Sequence, residues 1–90
     1  LVVVMGHQRC GAVKAATEVV AKNRRFPGAI GKMIEPIVPA ALAVRGQPRH
    51  SVETAGRSNV RRVGGELRTP REPRLLDPQR AGKVMVVGAY

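Results

Sequence analysis

The stretch that decides the fold is Leu1-Val2-Val3-Val4-Met5-Gly6-His7-Gln8-Arg9-Cys10-Gly11-Ala12. Its first five residues are a continuous apolar run rich in β-branched side chains, which is typical of a strand buried on both faces of a parallel sheet. Gly6 ends the run, and residues 7–11 form a tight connection. Over residues 12–22, apolar side chains recur at helical spacing, which predicts a helix.

The rest of the sequence predicts two more helical segments and a second strand. Apolar residues follow an i, i+3, i+4, i+7 pattern over residues 30–42, but Pro36 and Pro39 each remove a helix hydrogen bond, so we expect a kinked helix or two short ones. Ser51 is placed to cap a third helix that runs to about Arg68. Residues 69–78 contain three prolines and are expected to be irregular. Gly82 marks a turn before a second buried strand over residues 83–89.

This order of elements predicts an α/β fold with a mostly parallel β-sheet flanked by helices. Two strands alone make a poor sheet, since three or more are usually needed for independent stability. The sequence also has no initiator methionine and opens inside its first predicted strand. We therefore interpret residues 1–90 as a single partial domain whose sheet is completed by preceding sequence or by another chain.

Composition argues against several classes of protein. The longest apolar run is far shorter than the roughly 20 residues of a membrane-spanning helix, and no secretory signal precedes the first strand. The single cysteine, Cys10, cannot form an internal disulfide. We therefore expect a reducing, cytoplasmic setting rather than a disulfide-stapled secreted domain.

The charge balance raises the possibility of nucleic-acid binding. The sequence has 16 Lys and Arg against 6 Asp and Glu, a net charge of +10. Four arginines of the third predicted helix are placed to share one face: Arg57, Arg61, Arg62 and Arg68. Against this, no aromatic residues are interleaved with them to stack on bases, and no known nucleic-acid-binding module is present. We favour a solvated helix face and do not expect a nucleic-acid partner.

The connection after the first strand holds the residues best suited to chemistry. Active sites of open α/β sheets lie at the carboxyl ends of strands. Gln8 and Ala12 rule out a dinucleotide fingerprint and a phosphate loop, respectively. His7 and Cys10 are nitrogen and sulfur donors of the kind that zinc prefers, and a helix beginning near Gly11 favours the Cys10 thiolate.

Two donors do not make a metal site, and an alternative stays open. Cys10 is the only cysteine, and His50 lies on a separate segment. In the alternative, Cys10 is a small buried hydrophobe and His7 is an ordinary loop histidine.

Residues 1–13 resemble the second zinc-binding motif of the β-class carbonic anhydrases, in which a hydrophobic strand is followed by Gly-His-x-x-Cys-Gly-Ala. The resemblance continues in the family's order through nearly all 90 residues. It is carried further by Pro27, Gly28, Ile30, Ile34, Ile37, Pro39 and Ala40, by Asn59, Val60, Leu67, Arg68 and Thr69, and by Gly82-Lys83-Val84-Met85-Val86-Val87-Gly88-Ala89-Tyr90.

The resemblance implies a zinc-dependent lyase, a carbonate dehydratase, that interconverts carbon dioxide and bicarbonate. His7 and Cys10 match two zinc ligands of the family, and Gly6, Gly11 and Ala12 match positions that shape the loop around the metal. In such enzymes the metal lowers the pKa of a bound water to about 7. The family also implies a homo-oligomer.

The family's first motif, Cys-x-Asp-Ser-Arg, is absent from the sequence. In the family it supplies a third zinc ligand and an Asp–Arg pair, so the catalytic residues are unassigned here. Residues 1–90 accordingly resemble the C-terminal half of such a domain, in which activity would be incomplete. The alternative function is that of a non-catalytic basic domain that binds nucleic acid or a protein partner.

Overall fold

Two parallel strands, with helices between them in the sequence, form the fold. The computed structural model describes residues 1–47, 52–69 and 73–90. In chain order the elements are β1 (Val2–Met5), α1 (Gly11–Lys22), α2 (Gly28–Ile34), a 3₁₀ turn (Glu35–Ile37), α3 (Val38–Ala43), α4 (Val52–Leu67), α5 (Pro73–Arg80) and β2 (Val86–Ala89). The predicted α/β fold with a parallel sheet flanked by helices is confirmed.

The register of the sheet brings the ends of both strands to one edge. β1 and β2 run parallel, with Val2 opposite Val86 and Met5 opposite Ala89. Beyond the last pair, the Gly6 amide donates to the Ala89 carbonyl at 2.9 Å. The connection that follows β1 therefore lies beside the residue that follows β2, at the edge where α/β folds place their sites.

Only one face of this sheet is covered within the described residues. α4 packs against both strands, and Val2 and Val4 are half-buried. Val3 and Met5 point the other way, and Met5 is 75% exposed. The expectation that β1 is buried on both faces is therefore wrong for the described part of the chain. A β-branched run indicates a strand, but it does not show which elements pack against the two faces of that strand.

The core lies between α1 and the helices that follow it. Asn23, in the left-handed region with φ 51°, ends α1, and its amide bonds back to the Glu18 carbonyl. One buried cluster joins α1 to α2 and α3 through Ala16, Ile34 and Ala41. A second joins α1 to α4 through Val13, Val44 and Ala55. The side chains are mostly small, so the helices approach closely and each contact buries little apolar area.

The break expected from Pro36 and Pro39 is confirmed. Residues 28–43 form two short helices joined by the 3₁₀ turn. A 3₁₀ turn has about 3.0 residues per turn rather than 3.6, so the apolar stripe does not run unbroken from α2 into α3. Ile34 is buried, but Ile30 and Met33 are more than half exposed. The helical spacing over residues 30–42 puts these three side chains on one apolar face, and the described chain covers only Ile34 among them.

α4 is one uninterrupted helix of 16 residues despite its three glycines. The Ser58 hydroxyl donates to the Ala40 carbonyl at 3.1 Å and fastens α4 to α3. The predicted capping residue Ser51, like His50, lies outside the described residues. No helix in the described ranges is both long enough and apolar enough to span a membrane.

The prediction that residues 69–78 are irregular is wrong over residues 73–78, which belong to α5, and residues 70–72 lie outside the described residues. Proline is well tolerated at the first helical position, where its missing amide has no intrahelical partner in any case. The Gln79 side chain donates to the Leu67 carbonyl at 2.9 Å and ties α5 to the end of α4. Pro78, by contrast, lies inside α5, so this short helix forms with one interior proline.

The second strand is shorter than predicted. The Lys83 and Val84 amides both donate to the Pro78 carbonyl, so these two residues close the end of α5. Gly82 has φ +73°, which confirms the turn expected there. Regular pairing starts at Val86 rather than at Lys83.

Candidate functional site

Gly6 brings the end of β1 into close contact with α4 and the last residue of the chain. A Cβ built on Gly6 would lie 2.8 Å from Val60 Cγ2 and 3.1 Å from Tyr90 Cδ2. Real Cβ atoms do not approach other carbons as closely as 2.8 Å, so a side chain here would push Val60 aside. This gives Gly6 a steric role at the start of the loop, and its role around a metal stays a prediction.

His7 is exposed and is oriented by a local contact. Its Nδ1 lies 3.0 Å from the Gln8 carbonyl oxygen. Because a carbonyl only accepts, this contact is a hydrogen bond when the proton is on Nδ1. That tautomer leaves the lone pair on Nε2, which is the nitrogen that would then be available to a metal.

Cys10 occupies the N-cap position of α1. Its backbone is extended, with φ −66° and ψ 120°, and its side chain makes no capping hydrogen bond. The Cys10 carbonyl accepts from the Lys14 amide at 3.0 Å, the first bond of the helix. Arg9, with a φ of 53°, makes the reversal between the His7 side of the loop and Cys10. The helix start expected beside Cys10 is present.

The Cys10 side chain is half-buried and packs against the cluster of Val13, Val44 and Ala55. This packing is what the alternative interpretation requires, in which Cys10 is a small buried hydrophobe and not a metal ligand. The thiol is nevertheless not sealed inside the core. The contacts therefore fit both interpretations of Cys10.

Gly11 and Ala12 have less evident roles. Gly11 is the first residue of α1, and a Cβ built on it would meet nothing within 4 Å. Ala12 is half-buried in the first turn. Nothing in the described structure requires glycine at position 11, so the loop-shaping role of both residues stays a prediction.

The donor chemistry at this loop fits zinc in kind but not in number. His7 offers a ring nitrogen and Cys10 a thiol, both of which zinc prefers. The described ranges contain no group of three or more His, Cys, Asp or Glu side chains that could hold a metal ion. A catalytic zinc centre usually has three protein ligands, so a zinc site at this loop would need at least one further donor from outside the described residues.

A second feature, which the sequence did not predict, lies at the same edge of the sheet. The Tyr90 ring packs against α4, where a Cβ built on Gly56 would lie 3.0 Å from its Cε2. The Arg57 guanidinium carbon lies 4.8 Å from the centre of that ring. The sequence signal was slight: a single tyrosine directly after the closing strand.

Beside Tyr90, Arg57 and Arg61 of α4 and Arg68, which follows the end of α4, line a cleft of about 450 Å³. We call it the arginine cleft, and define it by Arg57, Arg61, Arg68 and Tyr90. Arg62, the fourth arginine expected on this face, instead pairs with Glu66 at 3.0 Å. The shared arginine face is therefore present with three members rather than four.

A family model described as carbonic anhydrase matches residues 1–90. No curated protein matches the chain.

Proposed function

The chain belongs to the β-class carbonic anhydrase family, and from that premise we propose that it serves the zinc-dependent, reversible hydration of carbon dioxide to bicarbonate. One observation carries the proposal. The Gly-His-x-x-Cys segment lies in the connection that follows β1, at the carboxyl edge of a parallel sheet. The match over residues 1–90 supports the same assignment.

His7 and Cys10 would hold the metal. The Gln8 carbonyl orients the His7 ring through Nδ1, so Nε2 is the proposed donor. Cys10 lies at the N-terminus of α1, where the helix dipole favours a negatively charged ligand. When bound, zinc supplies Lewis acidity and lowers the pKa of a coordinated water.

The proposal needs a third protein donor. We expect it, together with an Asp–Arg pair, from a Cys-x-Asp-Ser-Arg segment that is absent from this sequence. We also propose that the working form is a homo-oligomer. The exposure of apolar side chains of β1 and α2 in the described chain supports this. A reducing cytoplasmic setting, which keeps Cys10 reduced and able to bind a metal, is part of this proposal.

The test combines zinc content with activity. The 90-residue chain is mixed with a polypeptide that supplies the Cys-x-Asp-Ser-Arg half, and zinc per chain is measured by elemental analysis beside stopped-flow hydration rates. We expect Cys10→Ser and His7→Ala each to abolish stoichiometric zinc, because neither replacement supplies the lost donor.

Gln8→Ala is the matched control. It alters the same loop but keeps the backbone carbonyl that His7 contacts, so zinc content should be unchanged. Full zinc and full activity in both the Cys10 and the His7 variant would show that the ligand assignment is wrong.

A further inference from the structure

The arginine cleft carries charge that the described protein does not neutralise. Arg57 and Arg61 are one helical turn apart in α4, and Arg68, directly after the end of that helix, lines the same cleft. In the described ranges, no carboxylate lies within ion-pair distance of any of the three. Like charges four residues apart, as Arg57 and Arg61 are, slightly destabilise a helix, and an anion in the cleft would offset this cost.

The contrast with neighbouring basic residues is informative. Arg62 pairs with Glu66 on the adjacent strip of the same helix. Arg24 pairs with Glu18 at the end of α1. Acidic partners are thus used elsewhere in this chain, while the cleft keeps its positive charge.

Two of the three guanidinium groups are held in place. An Arg68 nitrogen donates to the Val86 carbonyl at 2.7 Å, and the Arg57 guanidinium lies over the Tyr90 ring. Arg61 lines the same cleft and is exposed. A guanidinium carries five N–H donors, so most donors of the cleft are still available to a ligand.

We propose that the arginine cleft binds a small ligand that carries a phosphate or pyrophosphate group. The planar guanidinium group of an arginine can donate two parallel hydrogen bonds to two oxygens of one phosphate group. A volume of about 450 Å³ falls within the range of small-molecule sites. The site is formed by α4 and the end of β2, and binding there needs no metal.

The aromatic residues argue for a small ligand over a nucleic acid. The chain has one phenylalanine, one tyrosine and no tryptophan. Arg24 lies over the Phe26 ring and Arg57 over the Tyr90 ring. In each of the two rings, a face that might stack on a base is thus covered by an arginine. This removes the usual means by which a protein holds a single strand.

Tyr90 also provides the measurement. As the sole tyrosine in a chain without tryptophan, it makes intrinsic fluorescence a reporter of the cleft itself. Inorganic pyrophosphate is titrated into the 90-residue chain in zinc-free buffer without phosphate. We expect a saturable change in tyrosine fluorescence, with half-saturation below about 1 mM.

Variants of the chain distinguish binding at a specific site from general attraction to its positive charge. Arg61→Gln should weaken pyrophosphate binding about tenfold through the loss of one charge-assisted pair. The affinity of the Arg61→Lys variant for pyrophosphate should lie between those of wild type and Arg61→Gln. Lysine keeps the positive charge but cannot form the paired hydrogen bonds of a guanidinium group. Arg45→Gln, an exposed arginine in the turn after α3, removes the same charge elsewhere and should leave binding unchanged.

Three results would overturn the proposal. The first is the absence of saturation by pyrophosphate. The second is an equal loss in the Arg61→Gln and Arg45→Gln variants, which would indicate non-specific attraction. The third is wild-type affinity in both Arg61→Gln and Arg57→Gln when measured by calorimetry, which does not depend on the tyrosine signal.

A competition experiment addresses the macromolecular alternative. Duplex DNA that displaces pyrophosphate at physiological salt, and binds more tightly than it, would overturn the proposal in favour of a nucleic-acid surface. Because every titration omits zinc, failure here leaves the proposed carbon dioxide chemistry untouched. Failure of the zinc experiment likewise leaves the cleft untouched.

Discussion

Val60 of α4 sits directly over Gly88 of β2: a Cβ built on Gly88 would lie 2.8 Å from Val60 Cγ1. The same side chain approaches Gly6 beyond the end of β1 through its other methyl group. One valine thus occupies the space left by two missing side chains on neighbouring strands. The helix can lie this close to the sheet because both positions are glycine.

This contact predicts that Gly88→Ala lowers the free energy of unfolding by about 1–3 kcal/mol, the usual cost of overpacking. Val60→Ala in the same chain should recover part of the loss, since it removes the methyl groups that clash. Urea denaturation followed by circular dichroism measures both. Gly65→Ala is the control, because an added Cβ there meets nothing within 4 Å, and it should stabilise α4 by up to about 1 kcal/mol. Equal midpoints for Gly88→Ala and wild type would contradict the contact.

The chain by itself should bind zinc weakly. His7 and Cys10 supply two donors where a catalytic centre uses three, and the described residues offer no cluster of three. We expect less than one zinc per chain after dialysis, and carbon dioxide hydration no faster than a metal-matched blank. Stoichiometric zinc in the unaccompanied chain would mean that a donor outside the described residues, such as His50, completes the site.

The isolated chain should associate with itself. Large apolar side chains are exposed on β1 and α2, including Met5 at 75% and Met33 at 58%, and the outer edges of a two-stranded sheet are unpaired. Sedimentation should therefore show species larger than a 9.7 kDa monomer. A monomer with a sharp cooperative melt would speak decisively against this expectation.

Duplex DNA should bind weakly and without sequence preference. A net charge of +10 attracts phosphates, but such attraction weakens steeply with salt and reads no bases. Retention on a DNA column should be lost near physiological salt, equally for unrelated sequences. Strong discrimination between two duplexes of equal length would contradict this prediction.

Local patterns predicted the local structure well. The helical spacing before Asn23 gave α1, and Pro36 and Pro39 gave the break between α2 and α3, because both signals act within a few residues. α5 was missed because prolines usually interrupt helices, whereas Pro73 stands at the first helical position, where proline is tolerated, and α5 also accommodates Pro78 in its interior. The exposure of Met5 was missed because a β-branched run indicates a strand but not its neighbours.

The candidate site, like the fold, could be predicted from the sequence only where local patterns decide it. The positions of His7 in a loop and of Cys10 at a helix start follow from the sequence around them. The contacts of Tyr90 with Gly56 and Arg57 join the last residue of the chain to the middle of α4. No short-range pattern carries such a contact, so it required the fold.

The pairing of Val2 with Val86 has a consequence for the order of events during synthesis. The sequence places helices α1 to α5 between the two strands, so β1 leaves the ribosome well before β2. At about 5–20 residues per second, β1 waits for seconds before its partner in this pair is available. Closing so long a loop is also slow compared with forming helices. The helices should therefore form before β1 pairs with β2.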